Sequence, residues 1–307
     1  MPAIQSHLSL NVSGLIINHM NKLAGIGVGD SNPIRVMGII NSSPESFYKK
    51  SVFTDKRTIC KTAKLMEENG ADFIDVGGMS TAPYIKTLVS EDREIKRITE
   101  AINAIQKVSN LPISIDTCRA KVAKVALQLG AKIVNDVSGL KYDKNMIDVL
   151  EEYRPSVIVC AFSKERIRGN QVIQARRLIS QSTTIAIKAG IPTNEIVVDP
   201  AIGFFRKKAR GIMFTKINSD WLQRDLLILK NLNQIKGNFP ILVSISRKSF
   251  IGKLLNESDP ENRQYGSLAA ETFALLNGAD VIRTHNVKAT SDVIKIVKNL
   301  KNLKKRL

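Results

Sequence analysis

Eight short apolar runs, each followed by a loop and a longer amphipathic segment, recur along most of this chain and leave few folds open to it. The runs are 34–40 (IRVMGII), 72–77 (DFIDVG), 112–116 (PISID), 132–137 (KIVNDV), 156–162 (SVIVCAF), 195–199 (EIVVD), 241–246 (ILVSIS) and 280–284 (DVIRT). They are continuous in Val and Ile rather than alternating, as parallel strands buried on both faces require. Helical periodicity fills the intervals at 57–69, 90–108, 118–129, 143–153, 171–189, 221–236, 262–277 and 287–300. Gly70, Gly130, Gly190 and Gly278 stand just past four of these segments, where a left-handed cap ends a helix before the next strand. Strand, loop and helix repeated eight times predict an α/β fold closed into a single (β/α)8 TIM barrel over residues 34–307, behind an N-terminal extension of residues 1–33. A doubly wound open sheet is the alternative, and the strand count argues against it.

Of the 307 residues, 43% are hydrophobic and 24% charged, enough apolar material for a large core and too much for a disordered segment. Lys and Arg number 46 against 28 Asp and Glu, a formal charge of +18 that favours anionic partners. Aromatic residues make up only 5%, with a single Trp, which argues against the stacking platforms of nucleic-acid binders. Cys60, Cys118 and Cys160 are too few and too scattered for a disulfide framework or a zinc site, pointing to a reducing compartment. The N-terminus carries no basic region ahead of its short apolar run, and no run nears the ~18 apolar residues of a membrane span, so a cytoplasmic location is expected. Near the C-terminus Lys295, Lys298, Lys301, Lys304, Lys305 and Arg306 form a basic helical face, with Ile296, Val297 and Leu300 expected to pack beneath it on the barrel. Contact with a membrane surface or RNA is the other reading of that face.

Barrel enzymes place their chemistry at the C-terminal ends of the strands. Here those positions hold Asn41, Asp75, Asp116, Asn135, Asp136, Asp199, Lys248, Arg283 and His285. Any one Asp there can be an ordinary helix cap, and a lone His is more often structural. Together they set carboxylates after the early strands against Lys, Arg and His after the last two. Asp116 and Asp199 offer acceptors to the N–H groups of a heterocycle, and Asn135 both donates and accepts. Arg283, Arg247 and the loop after the first strand offer charge for a leaving anion, and Mg2+ would accompany a pyrophosphate through few protein ligands, Asn41 among them.

Seven motifs stand in order at barrel spacing: MGIINSSPESF (37–47), DVGGMSTAP (75–83), PISIDTCRAKVA (112–123), NDVSG (135–139), DPAIGF (199–204), SRKSFIG (246–252) and IRTHNV (282–287). In these the chain resembles the dihydropteroate synthase family. The resemblance implies condensation of 6-hydroxymethyl-7,8-dihydropterin pyrophosphate with an arylamine, with Mg2+ and no protein nucleophile or general base. It implies a pterin site of Asp116, Asn135, Asp199 and Lys248, and a metal and pyrophosphate site of Asn41, Arg283 and His285. It further implies an arylamine side of Thr81, Arg247 and Ser249, and a homodimer. Four departures stand out: Met79-Ser80-Thr81-Ala82-Pro83 lacks the expected Arg at residue 82, Glu45 to Ser51 replaces an acidic Gly-rich loop, Ala161-Phe162-Ser163 replaces a Met-His pair, and Phe205-Arg206-Lys207-Lys208 replaces Gly-Lys. These suggest an archaeal-type branch whose amine is either p-aminobenzoate or a ribofuranosylaminobenzene 5′-phosphate, with Lys49, Lys50, Arg206, Lys207 and Lys208 available to its phosphate. A tetrahydropterin-dependent methyltransferase, which needs no pyrophosphate site, and a non-catalytic RNA-binding barrel are the rival readings.

Overall fold

A computed structural model describes residues 20–29, 31–43, 55–80, 88–208 and 213–303. Eight parallel strands form its centre: β3 (Arg35–Asn41), β4 (Phe73–Gly77), β5 (Ile113–Asp116), β6 (Ile133–Asp136), β7 (Ser156–Cys160), β8 (Ile196–Asp199), β11 (Leu242–Ser244) and β12 (Val281–Thr284). Their order is β11-β12-β3-β4-β5-β6-β7-β8. The two ends of that sheet meet at a parallel bridge between Val198 and Ile241, where Val198 N donates to Pro240 O at 2.9 Å. The eight strands read from sequence are thus the eight staves of a closed barrel.

Around them run α1 (Lys56–Glu68), α2 (Glu91–Ile105), α3 (Ala120–Gln128), α4 (Met146–Tyr153), α5 (Gln171–Lys188), α6 (Trp221–Lys230), α7 (Leu232–Lys236), α8 (Ser249–Leu255), α9 (Gln264–Leu276) and α10 (Val287–Leu303). The four predicted caps are left-handed, with φ of +90° at Gly70, +100° at Gly130, +77° at Gly190 and +95° at Gly278. The segment predicted as one helix over 221–236 breaks at Asn231, whose backbone leaves the helical region. One helix, α8, has no counterpart in the periodicity, because its seven residues are too few to show a period. At α10 the expected packing needs correction. Val297 is buried, but Ile296 and Leu300 are 63% and 61% exposed, since the buried stripe runs through Val287, Thr290, Ser291 and Val297.

Two pairs of short strands decorate the barrel. β9 (Phe205–Arg206) and β10 (Thr215–Lys216) pair in the loop after β8. β1 (Lys22–Leu23) and β2 (Ile26–Gly27) form a hairpin whose Leu23 enters the barrel floor with Val28. That floor is a closed apolar layer of Met37, Phe73, Ile133, Ile158, Val197, Leu242 and Val281. Side chains two residues apart share a face of a strand, so the next inward layer follows directly. It comprises Ile39, Asp75, Asn135, Cys160, Asp199, Ser244 and Arg283. Above an apolar floor the barrel is therefore lined mostly by polar groups, at the end where its strands terminate.

Candidate active site

Arg283 organises this polar layer. Its Nε donates to Asp75 Oδ2 at 2.6 Å and its Nη2 to Asp116 Oδ2 at 2.7 Å, so one guanidinium bridges carboxylates on β4 and β5. Asn135 Nδ2 lies 3.3 Å from Asp75 Oδ2, and Ser244 Oγ 3.4 Å from Arg283 Nη1. Ser114, paired across the sheet with Asp75, is fully buried, and among the described residues its hydroxyl has no hydrogen-bond partner. A buried polar group left unsatisfied costs about 1–3 kcal/mol. Such a layer suits a ligand that brings its own donors and acceptors.

Burial raises Asp116 to about 7, helped by the negative charge of Asp75 and opposed by Arg283. Burial disfavours the charge on Arg283 itself, but Asp75 and Asp116 more than offset this and hold the guanidinium above its ordinary range. Asp199 is likewise raised by burial, with Lys248 as the main opposing charge. Lys248 falls to about 8 because it too is buried, with Asp199 and Asp225 pulling it back up. Its ammonium donates to Ile202 O and lies 4.4 Å from the centre of the Phe204 ring. The left-handed Gly203, at φ +88°, makes room for it: a Cβ there would stand 2.8 Å from Lys248 Cδ.

Asn41 and Asp116 flank Gly77, a Cβ at which would lie 3.4 Å from Asn41 Oδ1 and 3.9 Å from Asp116 Oδ2. His285 Nδ1 is 3.0 Å from Ser246 Oγ. Burial drives His285 down to about 3, with Arg283, Arg247 and Lys248 adding to the shift, so the imidazole is neutral. Asn41, Asp116, Asn135, Asp199, Lys248, Arg283 and His285 thus gather at one mouth. Arg283 lies among the carboxylates rather than at the opposite edge expected of it.

Other residues take different places. Arg247, with φ +58°, turns its guanidinium away to Pro260 O, Glu261 O and Gln264 Oε1 at 2.8, 2.7 and 2.6 Å, and so braces the start of α9. Ser249 Oγ accepts from Arg206 Nη2 at 2.7 Å. Asp136 serves its own turn, accepting from Ser138 N and Leu140 N at 2.7 and 3.2 Å. Thr81, Ala82, Lys49 and Lys50 lie outside the described residues.

Sequence reasoning passed over Glu94, which is fully buried and accepts from Thr117 Oγ1 at 2.8 Å and Arg119 Nη1 at 2.7 Å. It ties α2 to the residues just after Asp116. Arg224 and Asp225 on α6 form a similar buried pair at 3.0 Å, with Arg224 also donating to Pro200 O and Ala201 O. A signal existed for both. Glu94 shares the apolar stripe of Ile98, Ala101, Ile102 and Ile105, and Arg224 with Asp225 shares that of Ile228 and Leu229. A charged residue at a core position of an amphipathic helix calls for a buried partner.

Residues 37–285 match the family described as pterin binding enzyme. A dihydropteroate synthase of Synechocystis is 37% identical over 273 residues, covering 85% of this chain and 88% of its own length. Among solved structures, a dihydropteroate synthase of Coxiella burnetii in complex with pteroic acid superposes with a TM-score of 0.77 at 31% identity, over 92% of this chain and 98% of that one. One from Xanthomonas albilineans with 4-aminobenzoic acid gives 0.76 at 29% identity, over 88% and 93%. The methyltransferase and RNA-scaffold readings give way before these likenesses. The chain belongs to the dihydropteroate synthase family, transferases that join a pterin pyrophosphate to an arylamine in folate biosynthesis.

Proposed function

We propose that the polar layer of the barrel grips the dihydropterin through Asp75, Asp116, Asn135, Asp199 and Lys248, that Asn41, Arg283 and His285 receive its pyrophosphate, and that p-aminobenzoate enters beside Ser249. The observation that carries this reading is the Arg283 bridge between Asp75 and Asp116, next to the unsatisfied Ser114 hydroxyl. Ring N–H donors of the pterin compete with the guanidinium for the Asp116 carboxylate. Pterin binding therefore releases Arg283 toward the departing anion.

The reaction breaks the bond from the pterin methylene carbon to a pyrophosphate oxygen and forms one to the amine nitrogen, which then sheds a proton. The chain's part is orientation and charge, which supply large rate factors without a covalent intermediate. Burial pushes the Cys118 and Cys160 thiols upward, so neither offers a thiolate. His285, held neutral, donates or accepts a hydrogen bond without repelling Arg283.

Mg2+ fits the donor set. Among the described residues no cluster of His, Cys, Asp and Glu forms a metal cage, and Mg2+ is commonly bound through one or two protein oxygens, substrate phosphates and water. Asn41 would supply the protein oxygen, and the ion supplies neutralising charge at the phosphates.

Of the two arylamines we propose the unphosphorylated one, the ligand of the Xanthomonas albilineans relative. Arg206 is committed within the fold and only Lys207 and Lys208 of that run are exposed. The test is pyrophosphate release with p-aminobenzoate or its ribofuranosyl 5′-phosphate counterpart, with products identified by mass. Turnover of the phosphorylated amine alone would overturn this reading. We also infer a homodimer through α8 and α9, where Leu254, Leu255, Tyr265, Phe273 and Leu276 leave a large apolar face exposed. Among the described residues no helix is long and apolar enough to cross a membrane.

A further inference from the structure

The substitution of Phe205-Arg206 for Gly-Lys has a structural counterpart. Phe205 is buried beneath Arg224, whose guanidinium carbon lies 3.6 Å from the ring centre. Arg206 stacks 4.3 Å over the Trp221 ring and donates to Phe205 O and Ser249 Oγ, both at 2.7 Å. Its backbone is pinned by the β9–β10 ladder, with Ile217 N donating to Arg206 O at 3.1 Å. Asp225 is 3.6 Å from Arg206 and 3.0 Å from Arg224, and it also accepts from Gly203 N. Arg206, Arg224 and Lys248 thus gather around Asp225 and Asp199, which gives the region beside Ser249 a cationic character.

We propose that Arg206, acting through Ser249, sets the preference of this enzyme for an arylamine bearing a carboxylate. By donating to the Ser249 oxygen it leaves the hydroxyl hydrogen to point at the substrate, and a donor polarised by a cation binds an anion more strongly than a neutral group. Arg206 is thus a positioning residue. The inference rests on the placement of p-aminobenzoate beside Ser249 given above.

The test compares kcat/KM for 4-aminobenzoate with that for its neutral analogue 4-aminobenzamide, in the full-length wild type and in Arg206→Gln and Arg206→Lys. Wild type should prefer the carboxylate. Arg206→Gln should lower that preference several-fold, the difference between a charge-polarised and a neutral donor, through KM for the acid with KM for the pterin pyrophosphate unchanged. Arg206→Lys, which retains the charge, should recover part of the preference. Equal losses for both amines in Arg206→Gln, or an undiminished preference, would overturn the inference while leaving the substrate placement intact. A wild type indifferent to the carboxylate would overturn both. If Arg206→Gln loses its pterin affinity by calorimetry, the Arg206→Lys ratio decides alone: retained preference supports the charge, and loss refutes it.

Discussion

Replacing Asp116 by Asn tests the pterin site at its most exposed assumption, that an ionised Asp116 accepts from the ring. In the free protein burial lifts this carboxyl to about 7, and Arg283 keeps it from rising further. Below that pH the group is protonated and must be ionised before it can accept. Wild-type affinity for the pterin should therefore be flat above about pH 7 and weaken by roughly tenfold per pH unit below it, since each unit is worth about 1.4 kcal/mol. The Asp116→Asn side chain has the same shape as the original, no charge and no titration. The plateau of this variant should lie about 1.5–3 kcal/mol lower, the range for a hydrogen bond to a charged group, or roughly 10- to 150-fold in Kd. Its pH dependence across this window should vanish. Calorimetric titration with 6-hydroxymethyl-dihydropterin between pH 5.5 and 8.5 reads both quantities. An Asn variant that binds as tightly as wild type, or one that keeps the same slope, would refute the assignment.

Glu94→Ala strands the Arg119 charge and the Thr117 hydroxyl in the interior, so denaturant unfolding should show a loss of about 3–5 kcal/mol, and Glu94→Ala with Arg119→Met should recover much of it. His285 is held near 3 and stays neutral, so pyrophosphate binding should draw no proton onto it. Titration in buffers of differing ionisation enthalpy should give the same proton balance for wild type and His285→Gln, and a difference between them would refute the neutral imidazole. Gly203→Ala crowds Lys248 at 2.8 Å and forces a left-handed alanine, so pterin affinity should fall while the fold survives, as circular dichroism would report. Leu255→Glu on the exposed apolar face should shift the protein to monomer in sedimentation velocity if that face joins two copies.

The barrel was legible in the chain because its signals are local. Continuous Val and Ile runs mark strands covered on both faces, and glycines at residues 70, 130, 190 and 278 end helices where a Cβ would be strained. Those signals also assigned Asp116, Asn135, Asp199, Lys248 and Arg283 to strand ends and so to one mouth. Local signals fail for short elements. α8 has seven residues, and β1, β2, β9 and β10 have two each, so no period can accumulate.

Which residues arrive at the mouth follows from the order of the chain; which of them touch depends on the closed barrel. Arg283 meets Asp75 across 208 residues of chain and Asp116 across 167, contacts that exist only once the barrel closes and sets the strand register. Arg247 and Lys248 are adjacent, yet a left-handed backbone at Arg247 sends its guanidinium to the α9 start and leaves the Lys248 side chain against Phe204. Arg206 reads in the chain as one more cation of a basic run, and folds as the partner of Ser249 and Trp221. Periodicity records which side of an element is buried, whereas the partner of a charge depends on which strands and loops are brought within about 3 Å, and hydrogen bonding acts over no greater range.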